Sequence, residues 1–310
     1  MTRLKILVAG AATVVGIGCG GADPIAIPVD PAPDVAVATL DPPASTALLY
    51  AGKTIQISVT AKNAAGQPLS GKVLQWSSSD NTIATVSSGG AVTALKYGTA
   101  TITASVEGHT AVATIRVLHD PIVFLHGFQS SGTIWGELIS RLQADGWTDA
   151  PMFAWTYDSN QSNATTAQQL STKIDSLLTV TGAAKVDIIA HSMGGLPGRY
   201  YAKNLGGSSK IDAFVVLATP NHGTTLANIC PITSCIEMRP NSAFLNALNA
   251  DDETPGTSRY AVWWTPCDQT VLPPDSPVLV GAVNTQTACI SHSDLWGDPN
   301  VYPQVRDWIK

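Results

Sequence analysis

The chain has 310 residues, 45% hydrophobic and only 13% charged, so it can bury a large core and is not a disordered polymer. That length fits about two domains. The formal net charge of -6, with 17 Lys plus Arg, offers no clustered basic face and argues against a nucleic-acid partner.

At the start, Arg3 and Lys5 precede an uncharged run from Ile6 to Gly18, too short to span a bilayer and patterned as a signal peptide over residues 1–19. The string Gly18-Cys19-Gly20-Gly21 resembles a bacterial lipoprotein processing site, which implies lipidation of Cys19 and attachment to a membrane. Gly16 stands where such sites usually carry Leu, Val or Ile, so ordinary cleavage and secretion remain the alternative. Five cysteines is an odd number for an exported chain, and giving Cys19 to lipid leaves Cys230, Cys235, Cys267 and Cys289 for two disulfides. None has metal-like spacing backed by histidines, and neither metal nor cofactor is expected. Residues 20–34, rich in Pro, Ala and Asp, predict an extended linker.

Over residues 35–118, short runs of Val, Ile, Thr and Ala alternate with polar residues between turn signals such as Asn63-Ala64-Ala65-Gly66 and Ser88-Gly89-Gly90. Thr54–Val59, Val73–Trp76 and Ala100–Ala104 are strand candidates with one face each for a core. The string Trp76-Ser77-Ser78-Ser79-Asp80, then Ile83-Ala84-Thr85-Val86 and Gly98-Thr99-Ala100-Thr101-Ile102, resembles the bacterial Ig-like domain of group 2. The resemblance implies an all-β sandwich. With no cluster of aromatics or metal-spaced acids in it, a spacer role is expected.

From His119 to Lys310 the pattern becomes alternating strand and helix. Strand candidates are Ile122–Leu125, Met152–Trp155, Lys185–Ala190, Ile211–Ala218, Arg259–Trp264 and Pro277–Val283. Trp135, Leu138, Ile139 and Leu142, then Leu170, Ile174 and Leu177, then Val301, Val305 and Trp308, recur at helical spacing. Such alternation predicts a parallel sheet covered on both faces, with little room for a cap. Ala227–Thr257 carries no strand pattern; its Met238, Phe244 and Leu245 are expected in the core rather than in a partial lid.

Ala190-His191-Ser192-Met193-Gly194 falls where a buried strand meets a helix, the setting in which a small-x-Ser-x-Gly string holds a serine exposed on a sharp turn. Together with Val123-Phe124-Leu125-His126-Gly127-Phe128 and Thr219-Pro220-Asn221-His222-Gly223-Thr224, it resembles small bacterial lipases of the α/β-hydrolase fold. What that resemblance implies is ester hydrolysis through an acyl-enzyme on Ser192, with the backbone N–H groups of Met193 and Phe128 as the oxyanion hole. In this fold the acid follows the nucleophile and the base follows the acid, which selects His292 as base and Asp268 as acid, with Asp275 the runner-up. Asp251 and Asp252 precede a strand and would lie at the wrong end of the sheet. His126 and His191 are expected to be structural, and His222 to shape the pocket. Phe128, Met193, Trp155 and Trp263 are expected to offer apolar surface near the site. If Asp268 and His292 meet, Cys267 and Cys289 are neighbours and pair, leaving Cys230 to pair with Cys235. A monomer acting on lipid esters is expected, with polyester hydrolysis by the same mechanism, or a surface-binding protein with a vestigial hydrolase domain, as alternatives.

Overall fold

The computed structural model describes residues 35–41 and 46–310; the leader 1–19, Cys19 and the linker 20–34 lie outside the described residues. Among the described residues the first region is built of nine strands: β1 (Thr39–Asp41), β2 (Thr46–Leu49), β3 (Thr54–Gln56), β4 (Thr60–Lys62), β5 (Gln75–Ser78), β6 (Ala84–Val86), β7 (Ala91–Ala94), β8 (Gly98–Val106) and β9 (His109–Val117). They pair as sheets of order β2-β9-β8-β5, β3-β7-β6 and β1-β4. Alternate residues of β8 and β9, Ile102, Ala113, Ile115 and Val117 among them, turn inward with Ile57 and Val92 to form one core, as the period of two requires.

Two strand candidates shift here. Thr54–Val59 is paired only as far as Gln56, because its partner β7 begins at Ala91 after the turn through Gly90. Val73–Trp76 gives way to Gln75–Ser78, because β8 ends at Val106 opposite that point and leaves Val73 exposed.

Only residues 118–121 separate β9 from the next strand. His119 lies between them, its ring stacked on Tyr97 at 3.4 Å and on Trp147 at 3.7 Å, with Nδ1 2.7 Å from Asp149 Oδ1.

The second region is a six-stranded sheet of β10 (Ile122–Leu125), β11 (Met152–Trp155), β12 (Val186–His191), β13 (Ile211–Leu217), β14 (Arg259–Trp264) and β15 (Val283–Gln286), in the order β11-β10-β12-β13-β14-β15. Every pairing is parallel. Its helices are α1 (Gly136–Ala144), α2 (Asn163–Thr181), α3 (Gly195–Asn204), α4 (Thr233–Glu237), α5 (Ala243–Asn249) and α6 (Val301–Trp308). Alternation along the strands feeds two cores. Val123, Leu125, Ile188 and Phe214 face α2, α3 and α5, while Ile122, Phe124, Ile189 and Val215 face α1 and α6. Burial of β10 and β12 on both faces is what their unbroken apolar runs demand. Asp187 is the buried exception, and it sits at a register shift between Val186 and Ile188 where its Oδ1 accepts the Ala213 N–H at 2.9 Å.

The last strand is β15, not Pro277–Val283. Pro277 donates no hydrogen bond, Gly281 lies at φ +86°, and the Asn284 side chain bonds both Leu279 N and Leu279 O, so this segment curls into turns. The strand that follows is an exposed edge with almost no apolar pattern.

Candidate active site

From β10 the chain crosses to β11 on one side, whereas from β12 it continues to β13 on the other, so a crevice opens between the carboxyl ends of β10 and β12. Ser192 follows β12 there, at φ +54°, in the left-handed region that a residue with a side chain seldom occupies. Small neighbours make the turn possible. A Cβ on Gly194 would stand 2.5 Å from His126 O and Leu125 O, and one on Gly127 would stand 2.9 Å from Ser192 Cβ. The α3 helix begins three residues on, and its amino end favours negative charge in front of it.

The loop after β10 is braced by His126. Its Nδ1–H donates to Gly127 O at 2.8 Å, its Nε2 accepts the Tyr157 N–H at 3.2 Å, and its ring stacks on Tyr157 at 4.0 Å. The Tyr157 hydroxyl donates to His126 O. Burial pushes the His126 imidazole below its ordinary value, which suits a neutral ring that both donates and accepts. Phe128 N–H, next in line, has no acceptor among the described residues. Met193 N–H lies in the first turn of the short helix Ser192–Gly194, where such groups lack an intrahelical partner.

Asp268 follows β14 and His292 follows β15, and the two side chains meet, with His292 Nδ1 donating to Asp268 Oδ2 at 2.7 Å. The other oxygen, Oδ1, accepts the N–H groups of Thr270 and Val271, each at 2.8 Å. Burial pushes the Asp268 carboxyl up, but the bond and charge of His292 and the two N–H groups outweigh it and hold the carboxyl below the usual range. Asp275 shares no hydrogen bond or ion pair with His292 among the described residues. A disulfide between Cys267 and Cys289 joins the loops that carry Asp268 and His292, and a second joins Cys230 to Cys235.

His191 adds a tie from the end of β12. Its Nε2–H donates to His292 O at 3.0 Å, and its ring lies 4.7 Å from that of His292. Burial, then the neighbouring His292, pushes the His191 ring down to about 3, so it stays uncharged beside the imidazole. His222 does not reach the cavity; it bonds Glu253 Oε1 at 2.9 Å and Ser276 O at 3.0 Å and so fixes the loop after β13.

A cavity of about 240 Å³ opens at Ser192, lined by Phe128, Leu226, Ile229, Met238 and Val271 among others. Trp155 and Trp263 are not in it. Each is buried in one of the two cores, and Trp263 Nε1 donates to Gln304. Met193 is likewise buried in the core. The lining that the sequence leaves unmarked is Leu226 and Ile229, apolar residues on the short 3-10 helix Thr225–Ile229. Among the described residues no cluster of three or more His, Cys, Asp or Glu could hold a metal, and no helix is long and apolar enough to cross a membrane.

A parallel sheet with covered faces and a strained serine turn at its carboxyl edge defines an α/β-hydrolase. The chain belongs to the family described as Lipase (class 2), which matches residues 119–296, more than half its length, and it is a hydrolase enzyme. The Bacterial Ig-like domain (group 2) matches residues 34–117. Among solved structures, the mature lipase BlEst2 of Bacillus licheniformis is similar at 15% identity and a TM-score of 0.55, over 62% of this chain and 92% of that one. The lin2722 gene product of Listeria innocua aligns at 12% identity and a TM-score of 0.51, over 62% and 94%. Lipase B of Aspergillus fumigatus aligns at 15% and 0.53, over 61% and 52%. At these identities the likeness is one of fold.

Proposed function

We propose that the protein is an exported carboxylester hydrolase that cleaves lipid esters through Ser192, His292 and Asp268. The observation that carries the reading is the 2.7 Å bond between His292 and Asp268 at the same sheet edge as the Ser192 turn. With its Nδ1 proton engaged by Asp268, His292 keeps Nε2 open as an acceptor. It takes the proton of Ser192 as Oγ attacks the ester carbonyl, and the developing oxyanion is met by the N–H groups of Met193 and Phe128. His292 then protonates the leaving alcohol, and water repeats the sequence on the acyl-enzyme. The apolar cavity supports an acyl chain as its occupant. Two disulfides support export, with Cys19 as a lipid anchor or the chain released, and with the Ig-like region as a spacer on a monomer.

The test is turnover of p-nitrophenyl esters of increasing chain length by the purified protein, together with labelling by an organophosphate. Turnover and a label confined to Ser192 are expected, and Ser192→Ala should abolish both while the fold survives. Wild-type turnover by a folded Ser192→Ala variant would end the reading.

A further inference from the structure

The segment Thr219-Pro220-Asn221-His222-Gly223-Thr224 contributes no reacting group, yet it is bonded along the whole loop that carries Asp268. Asn221 Nδ2 donates to Pro277 O at 2.7 Å, Ser276 Oγ donates to Gly223 O at 2.6 Å, and Thr225 N donates to Leu272 O at 3.0 Å. Gly223, at φ +94°, lets the chain pass Pro240, whose N would stand 2.6 Å from a Cβ there.

Thr224 closes this segment nearest to the acid, and it is buried. Its Oγ1 donates to Thr270 O at 2.8 Å and accepts the Leu272 N–H at 3.0 Å, so the hydroxyl is used in both senses. The turn it spans supplies the Thr270 and Val271 N–H groups that hold Asp268 Oδ1. At its other end the same loop is fixed by the Cys267–Cys289 disulfide.

We propose that Thr224 is a positioning residue for Asp268: its hydroxyl sets the turn at 270–272 so that two N–H groups pin one carboxylate oxygen and direct the other at His292. The inference rests on the Ser192, His292 and Asp268 reading. Without the hydroxyl, Thr270 O and Leu272 N lose the partner that the buried Thr224 gives them, and because Thr270 is exposed and Leu272 half-buried the turn re-pairs them by shifting toward water. That movement carries the Thr270 and Val271 N–H groups off the carboxylate, and the imidazole loses its orientation.

Thr224→Val keeps the shape and deletes the hydroxyl, whereas Thr224→Ser keeps the hydroxyl. In the full chain, Thr224→Val should lower kcat on p-nitrophenyl butyrate by about 10- to 100-fold with KM little changed, the scale of a small misplacement of a catalytic group. The downfield proton resonance of His292 Nδ1 should weaken or disappear in that variant, and Thr224→Ser should retain it and recover most of kcat. If Thr224→Val does not fold, Thr224→Ala takes its place with the same expectations. Organophosphate labelling of the wild type separates the two ideas. No label at Ser192 overturns the nucleophile reading and this inference with it, whereas a labelled wild type beside a hydroxyl-free variant with normal kcat and resonance overturns the role of Thr224 alone. A folded Thr224→Ser protein that lacks the resonance overturns it as well.

Discussion

Replacing Cys267 and Cys289 together by Ala separates what the disulfide does for stability from what it does for the site. The bond spans 22 residues, and releasing a closed loop of that size returns about 11 cal/mol/K of chain entropy to the unfolded state, or about 3 kcal/mol at 25 °C. For a region of this size each kcal/mol moves Tm by about 2–4 °C, so a fall of about 6–12 °C is expected. Activity should survive at low temperature, because the two loops are also tied by Thr265. Its Oγ1 donates to Ile290 O at 2.8 Å and accepts the Ile290 N–H at 3.2 Å, while Thr287 N donates to Trp264 O at 2.8 Å. Thermal unfolding followed by circular dichroism, with ester turnover at 20 °C alongside, measures both effects. A Tm change below about 2 °C would refute the entropic reasoning. A folded double variant that has lost nearly all turnover would show instead that the covalent link, not the hydrogen bonds, holds Asp268 and His292 together.

Gly127→Ala should cut kcat by about 100-fold, since the new Cβ would stand 2.9 Å from Ser192 Cβ and must push Ser192, the proposed nucleophile, aside; normal kinetics would show that the loop yields freely. A pH effect is expected at the other end of the sheet, where burial, then Asp212, raises Asp120 to about 7, above its unfolded value of about 3.9. Between those values the folded state holds the extra proton, so this carboxyl lowers stability as pH rises from about 4 to 7. Asp120→Asn should therefore gain in Tm over the wild type at pH 8 but not at pH 4, and a difference independent of pH would refute the assignment. Removing the residues before His119 should leave turnover of soluble esters intact, because the Ig-like core shares no residue with the two cores around the sheet. A folded but inactive truncation would show that the first region helps to build the site.

The strand-turn-helix around Ser192 is legible in the sequence because its parts are local: a buried run, a serine, and small residues where neighbours come within 3 Å. The Ile122–Leu125 and Ile211–Leu217 runs are legible for the same reason, being buried on both faces. β15 is not, since Val-Asn-Thr-Gln on an exposed edge carries no hydrophobic signal, while the apolar residues just before it serve turns and a core contact through Leu279. Trp155 and Trp263 show the limit of composition: an indole reads alike whether it fills a core or walls a cavity. The work of Thr224 depends on which distant carbonyl and N–H its hydroxyl meets, and nothing in the string Gly223-Thr224-Thr225 announces them.

The stacked His119 has a consequence for orientation. Residues 118–121 can reach no further than about 14 Å even when extended, and one of them is clamped between two rings, so the first region has no slack with which to swing. β10 starts beside that joint and ends at the His126 loop, which makes it a short rod with the Ig-like region at one end and the mouth of the cavity at the other. Whatever fixes the Ig-like region therefore also aims the enzyme. The opening at Ser192 lies beyond the end of β10 that is remote from the His119 joint.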